Sequence, residues 1–136
     1  MASSIWTTLY LSVGGTDISS YVESFEWSEG VEIQDDTTFG KTYRVRKTGL
    51  KDWSAQVTLH QDWAAGLLDA IIAPLNGTTV AVEFRPSSAV VGTGNPKRTG
   101  NAVLSYDSPV SGGQVGTLAK NSFTLHGSDT LTRATA

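Results

Sequence analysis

The segment "DWSAQVTLHQ", residues 52–61, alternates apolar and polar side chains along its length. Its apolar residues occupy every second position: Trp53, Ala55, Val57 and Leu59. Successive side chains of a β-strand point to opposite faces, so this spacing predicts a strand over 53–60 with one face on a core.

The period of two returns on both sides of this segment. It is present in "TTLYLSVGG" (7–15) and "YVESFEWSEGVEI" (21–33), and again in "TTVAVEFRP" (78–86), "NAVLSYDSPV" (101–110) and "TLAKNSFTLHG" (117–127). Glycine pairs such as Gly14-Gly15 and Gly112-Gly113 are typical of tight turns between strands. The Gly/Ser/Pro-rich segment "SSAVVGTGNPKRTG" (87–100) predicts a long loop. Six to eight strands are therefore expected.

One segment, "QDWAAGLLDAIIAPLNG" (61–77), has a helical period instead. Its apolar residues recur near i, i+4, i+5, i+8 and i+9, with Trp63 first, and Asp62 is suited to cap the first turn. Pro74 and Asn76-Gly77 predict the helix end. We therefore expect a mainly β fold: a β-sandwich or barrel of antiparallel strands with one flanking α-helix at about 62–73.

Length and composition limit the remaining possibilities. The chain has 136 residues, which is typical of one domain. We assign residues 1–127 to it and interpret 128–136, which lacks a core pattern, as a polar C-terminal tail. There are no cysteines, so disulfides and Cys-based zinc sites are excluded. No apolar run approaches the ~18 residues of a membrane helix, and the net charge of -3 gives no general reason to bind DNA or an anionic membrane.

The sequence carries no recognisable catalytic pattern, and we predict no catalytic residue, cofactor or metal site. His60 and Asp62 could form a metal pair, but zinc and non-haem iron sites usually need three protein ligands. Sugar binding through aromatic platforms is an alternative for the four tryptophans. However, Trp53 and Trp63 lie on apolar faces and are expected in the core, which leaves Trp6 and Trp27 open.

Charge is distributed unevenly along the chain. Residues 17–36 hold seven acids and no base, whereas 41–51 hold five of the ten cations: Lys41, Arg44, Arg46, Lys47 and Lys51. In one interpretation, acids and cations simply solvate two strand faces. In the other, they are complementary surfaces that orient contacts between copies of the chain.

The segment "DDTTFGKTYRVRKTGLKDWSAQVTL" (35–59) resembles a pattern in the tail tube proteins of long-tailed bacteriophages. There, an acidic loop and a "TTFG" run lead through a basic segment to a "GL" turn and a strand. The resemblance extends to "DISSYVESFEWSEG", "LLDAII" with "GTTVAVEFRP", and "SFTLHG", and covers roughly residues 7–127.

This resemblance implies a β-sandwich of which six copies form a ring, with the rings stacked into a tube. It also implies that a loop at about 31–50 projects and contacts neighbouring subunits or the next ring. The residues assigned to that interface are Glu32, Asp35, Asp36, Thr37, Thr38, Phe39, Gly40, Arg44 and Arg46.

The leading hypothesis is thus a self-assembling structural protein of a virion tail, made in the host cytoplasm. Its expected partners are other copies of itself and tail proteins such as the initiator and the terminator. DNA would pass through the tube without specific binding, and no membrane is involved. The alternatives are a tail terminator or head decoration subunit, and a carbohydrate-binding β-sandwich; an enzyme is not expected.

Overall fold

The structure, a computed structural model, describes residues 8–135. It is mainly β, with seven strands and one short α-helix, α1 (Leu68–Ile72), which runs on into a 3₁₀ turn at Ala73–Leu75. The strands are β1 (Tyr10–Val13), β2 (Thr16–Asp17), β3 (Val22–Asp35), β4 (Arg46–His60), β5 (Thr79–Arg85), β6 (Lys97–Ser111) and β7 (Lys120–Ala134).

The seven strands form one sheet in the order β2-β1-β5-β6-β7-β4-β3, and every neighbouring pair is antiparallel. Consecutive strands pair as hairpins except at two crossings. The connection from β2 to β3 runs from one edge of the sheet to the other, and the connection from β4 to β5 carries α1 across one end. The prediction of a mainly β fold with antiparallel strands and one short helix is confirmed.

The sheet curls so that its inner face packs on itself. Phe25 of β3, at one edge, stacks on Phe84 of β5 with ring centroids 4.7 Å apart, although three strands separate β3 from β5 in the sheet. Trp27 stacks on Trp53, 4.8 Å between centroids. The predicted alternation of β4 is confirmed, since its apolar residues from 53 to 59 are all buried. Core residues from the other elements include Leu11, Val13, Leu68, Ile72, Val82, Leu104, Phe123 and Leu125.

The helix is shorter than the predicted range of 62–73. Asp62 does not cap a helix: its Oδ1 accepts a hydrogen bond from the backbone N–H of Ala64 at 3.1 Å, which closes a local turn. Gly66 then adopts a positive φ of 74°, outside the helical region, and α1 begins only at Leu68. As a result Trp63, expected in the core, is 55% exposed.

The predicted polar tail at 128–136 is, as far as residue 134, the second half of β7. It pairs with the beginning of β6, for example Arg98 with Arg133 and Thr99 with Thr132. Leu131 packs against the core. The prediction of a polar tail was wrong because the pairing of β7 with β6 depends on backbone hydrogen bonds, which polar residues form as well as apolar ones. Residues 86–96 form the loop predicted at 87–100, and it is organised around buried Asn95, whose side-chain N–H groups donate to backbone carbonyls of the loop.

The segment predicted as a projecting loop at about 31–50 is largely a two-stranded hairpin. Its strands pair as far as Asp35 with Arg46, and only residues 36–45 form the connecting loop. The sequence concealed this because acids and cations replace most of the apolar alternation there. No helix in the described part of the chain is long and apolar enough to cross a membrane.

Candidate functional site: the arm and the helix end

The hairpin at Val31–Lys51, which we call the arm, extends beyond the body of the sheet. Pairing between β4 and β7 ends at Ser54 opposite His126, but pairing between β3 and β4 continues for the rest of both strands. Within residues 8–135, the backbone of the arm is therefore paired only between its own two strands. An isolated two-stranded hairpin is marginally stable at best in water, so the base of the arm and any external contact matter for its order.

One face of the arm continues the core face of the sheet. Side chains of β3 alternate, so Val31 and Ile33 lie on the same face as Trp27. Trp27 is covered by Trp53 and Phe84, whereas Val31 and Ile33 are exposed. Three more large apolar side chains on the arm are exposed: Phe39, Tyr43 and Leu50. Tyr43 is thus on the surface.

The acids and cations of the arm form ion pairs within one chain. Lys47 Nζ lies 3.2 Å from Asp36 Oδ2, and Arg44 Nη1 donates to Asp35 Oδ2. Hydrogen bonds from Thr37, together with the one from Arg44, hold the pKa of Asp35 below its usual value. The acidic and basic segments of the sequence are thus partly the two antiparallel sides of one hairpin. Local pairing, which the sequence alone could not distinguish from pairing between subunits, accounts for two of the five cations.

Three cations of the arm remain without an ion pair within residues 8–135: Lys41, Arg46 and Lys51. The arm holds five bases and three acids, so its net charge is +2. All nine residues predicted for the subunit interface (Glu32, Asp35, Asp36, Thr37, Thr38, Phe39, Gly40, Arg44 and Arg46) lie on the arm, and all are exposed. Thr37 also closes the loop, since its Oγ1 accepts a hydrogen bond from Val45 N at 2.9 Å.

The base of the arm is fixed by contacts inside the curled sheet. Arg98 Nε of β6 lies 2.8 Å from Glu29 Oε1 of β3, and Trp27 Nε1 donates to the same oxygen at 3.0 Å. Burial alone would raise the pKa of Glu29, but these two hydrogen bonds outweigh it and the pKa is lowered. Trp53 fills the point where β4 and β7 separate and lies directly against Gly127. The direction in which the arm leaves the sheet is therefore set by packing.

The opposite end of β4 carries the second exposed surface. We call it the helix end and define it as residues 60–72 and 107–120. The two segments are joined because Gln61 N donates to Ala119 O at 3.1 Å and Gln61 Nε2 donates to Pro109 O at 2.6 Å. Large apolar side chains are exposed here too: Trp63, Leu67, Val110, Val115 and Leu118.

A polar network holds the helix end in place. Gln61 Nε2 donates to the Tyr106 hydroxyl at 2.9 Å, and that hydroxyl donates to Asp69 Oδ1 on α1 at 3.0 Å. Asn121, fully buried, donates from Nδ2 to Gln61 Oε1 at 3.0 Å. Burial is the main reason that the pKa of Tyr106 is raised, so its hydroxyl stays protonated and available as a donor. The network ties α1 and the β6–β7 connection to the sheet.

The helix end is acidic. Its charged residues are Asp62, Asp69, Asp107 and Lys120, for a net charge of -2 with histidine neutral. Lys120 is already paired, since its Nζ lies 2.8 Å from Glu23 Oε1. Hydrogen bonds from Ser105 and Thr124 hold the pKa of Asp107 below its usual value, so this carboxyl is ionised at neutral pH.

The described part of the chain offers little for other kinds of site. No group of three or more His, Cys, Asp or Glu residues is arranged to hold a metal ion within residues 8–135. His60 is exposed at the end of β4. Trp27 and Trp53 stack on each other in the interior rather than forming an open aromatic platform. Trp6, which the sequence left open, lies outside the described residues.

No family model matches the sequence, and no curated protein matches it either. Among solved structures, the chain is similar to a chain of the "Virion of native gene transfer agent (GTA) particle", with a TM-score of 0.72 at 11% sequence identity. The superposition covers 97% of this chain and 99% of that chain. This protein therefore shares its fold, over nearly its full length, with a component of that particle.

Proposed function

We propose that this protein is a structural component of a phage-like virion, and that its role is that of a tail tube subunit. The observation that carries the proposal is the arm: a hairpin that projects from the sheet with an uncovered apolar face. Contiguous exposed apolar surface on a small protein marks an interaction site. The shared fold with a chain from a virion particle supports the same conclusion.

The distribution of exposed apolar residues supports assembly in particular. Of the twelve large hydrophobic side chains that are exposed within residues 8–135, ten lie on the arm or the helix end. Only Val90 and Val103 lie elsewhere. A chain with two separate contact surfaces can join copies of itself repeatedly, whereas a chain with a single self-complementary surface stops at a dimer.

In this role the subunits form rings, which we expect to contain six copies, and the rings stack into a tube. The tube begins and ends on other tail proteins, the initiator and the terminator, and the assembled tail is part of the virion. A tube that conducts DNA must not retain it, and the chain has 13 acids against 10 bases. We therefore expect no measurable binding of duplex DNA at physiological salt in a gel-shift assay.

Electron microscopy of the purified protein at increasing concentration, together with sedimentation, tests the proposal. Long hollow tubes support the tail tube role. Isolated rings that do not stack would favour a terminator, and monomers at every concentration would favour a decoration subunit. Tight, salt-sensitive retention of DNA would contradict a conducting tube and indicate a nucleic-acid-binding module.

A further inference from the structure

We infer that the arm of one copy docks on the helix end of a second copy, so that these two surfaces form the two sides of one contact. The inference deepens the proposed function, because it takes the partner to be another copy of this chain. It assigns the helix end, residues 60–72 and 107–120, as the surface that receives the arm. The arm and the helix end lie at opposite ends of β4.

The two surfaces cannot cover each other within one molecule. The arm ends at Lys51 and the helix end begins at His60, nine residues further along β4. At about 3.3 Å per residue, their nearest points lie roughly 30 Å apart, and the start of β4 at Arg46 lies roughly 45 Å from His60. Each apolar surface must therefore be covered by another molecule or stay in water.

Charge selects which surfaces meet. The arm carries a net charge of +2 and the helix end a net charge of -2. Two arms would repel each other, and so would two helix ends, but an arm and a helix end attract. Complementary charge of this kind suppresses wrong pairings and fixes orientation more than it adds affinity. Within residues 8–135, the side chains of Lys41 and Arg46 make no ion pair on the arm, and Asp62 makes none on the helix end.

Both surfaces are supported from within. The arm is aimed by the Glu29–Arg98 pair and by Trp53 at its base. The helix end is held by Gln61 and the Tyr106 hydroxyl. Less conformational freedom is then lost when they meet, and contacts between prearranged surfaces are stronger for that reason.

A contact between unlike surfaces leaves both molecules with one surface unused. The second copy still presents its own arm, which docks on a third copy, so the contact repeats, either around a ring or from one ring to the next according to the rotation between copies. The apolar residues of both surfaces become covered in every internal copy.

Cysteine crosslinking tests the contact directly, because the chain has no cysteine of its own. The variant Phe39→Cys/Val115→Cys places one thiol at the tip of the arm and one on the helix end, at two fully exposed positions. The matched control is Phe39→Cys/Val90→Cys, in which the second thiol is equally accessible but lies outside both surfaces. Phe39→Cys alone detects contacts between two arms.

Each variant is treated with a short bismaleimide under assembly conditions and separated on a denaturing gel. We expect a ladder of covalent oligomers from Phe39→Cys/Val115→Cys, and mainly monomer from the other two variants. An equally long ladder from the Val90 control, or rapid dimers from Phe39→Cys alone, would overturn the inference. Tubes in the microscope without this crosslink would overturn the inferred contact and leave the proposed function intact. A ladder without tubes would support the contact and contradict the tail tube role.

Discussion

Arg44 Nη1 lies 2.7 Å from Asp35 Oδ2 across the loop of the arm. This pair shows that not all cations of the arm are available to another subunit. Exposed ion pairs contribute little to stability, so the role of this pair is to shape the loop. The cations that remain for a partner are those without an ion pair in the described part of the chain, and Lys41 and Arg46 are the most informative to change.

The first prediction concerns these two cations. The double variant Lys41→Glu/Arg46→Glu changes the net charge of the arm from +2 to -2, since each reversal removes two charges. We expect assembly to be lost, because the arm then repels the acidic helix end. Far-UV circular dichroism should be unchanged, since both side chains are exposed, and sedimentation should show monomers.

The neutral variant Lys41→Gln/Arg46→Gln is the matched control. It should assemble, but only at a higher protein concentration than the unmodified chain needs. Added salt should partly restore assembly of the charge-reversed variant, because screening weakens repulsion between exposed charges. Normal tubes from Lys41→Glu/Arg46→Glu at low salt would show that these cations only face solvent.

The second prediction concerns the apolar face of the arm. Ile33→Asp places a carboxylate where we expect burial against another copy, and burying an unpaired charge is costly. Polymer should be lost from the pellet in sedimentation while the midpoint of thermal unfolding of the monomer stays the same. Val90→Asp makes the same kind of change at an exposed apolar position outside both surfaces and should assemble normally. Equal behaviour of the two variants would argue against a role for the arm.

The third prediction concerns pH and the base of the arm. The pKa of Glu29 is lowered in the folded chain relative to its ordinary value of 4.5. A depressed pKa contributes stability that is present above the unfolded-state pKa and is lost as the pH falls through the folded-state value. Thermal unfolding measured from pH 6 to pH 3 should thus show a decline that begins near pH 4.5 and is smaller in Glu29→Gln.

Glu26→Gln removes a carboxylate from the same strand and serves as the control, because Glu26 makes no ion pair within the described residues. Its acid profile should match that of the unmodified protein. If the acid profile of Glu29→Gln also matches that of the unmodified protein, the Glu29–Arg98 pair does not stabilise the fold.

The fourth prediction concerns Gly127. A Cβ added there would lie 2.4 Å from Trp53 Nε1 and 2.5 Å from the backbone oxygen of Trp53. Neither neighbour can move freely, so Gly127→Ala should lower the free energy of unfolding by about 1–3 kcal/mol, as overpacking typically does. Gly30→Ala, where an added Cβ meets nothing within 4 Å, should be close to neutral in the same urea titration. Equal stability of both variants would contradict the close packing of Trp53.

The fifth prediction concerns the Tyr106 hydroxyl. Tyr106→Phe removes the group that joins Gln61 to Asp69 and so takes one hydrogen-bond partner from each of these half-buried side chains, at a cost of about 1–3 kcal/mol. Urea unfolding should show this loss, and the critical concentration for assembly should rise because α1 is less firmly held. Tyr43→Phe removes a hydroxyl from an exposed ring on the arm and should leave the free energy of unfolding unchanged.

The sequence predicted the centre of the molecule better than its ends. From Trp53 to Leu59, the apolar side chains are those on the buried face of β4. A period of two in the sequence predicts this kind of one-sided burial. The prediction was wrong where local hydrogen bonds replaced burial. Asp62 makes a turn instead of a cap, Gly66 delays the helix, and residues 128–134 form a strand through backbone pairing that their polar side chains conceal.

The assignment of the nine arm residues to a subunit interface stays a prediction. The residues assigned to it do lie together on one projecting hairpin, but the sequence did not show that Arg44 is paired with Asp35 of the same chain. It also missed the helix end, because Trp63 and Leu67 have a helical spacing that normally indicates a core. In the structure a turn at Gly66 lies between these two side chains, and both are exposed.

The position of β3 at the edge of the sheet has a consequence for solubility before assembly. The backbone of an edge strand has unpaired N–H and C=O groups, and a long edge of this kind recruits strands from other molecules and causes aggregation. β3 has β4 on one side and no strand on the other within the described residues. It also carries an acid at every third position: Glu23, Glu26, Glu29 and Glu32. Glu23 and Glu29 are paired with Lys120 and Arg98, so Glu26 and Glu32 remain to repel the same edge of a second copy, and this repulsion opposes uncontrolled pairing between edge strands.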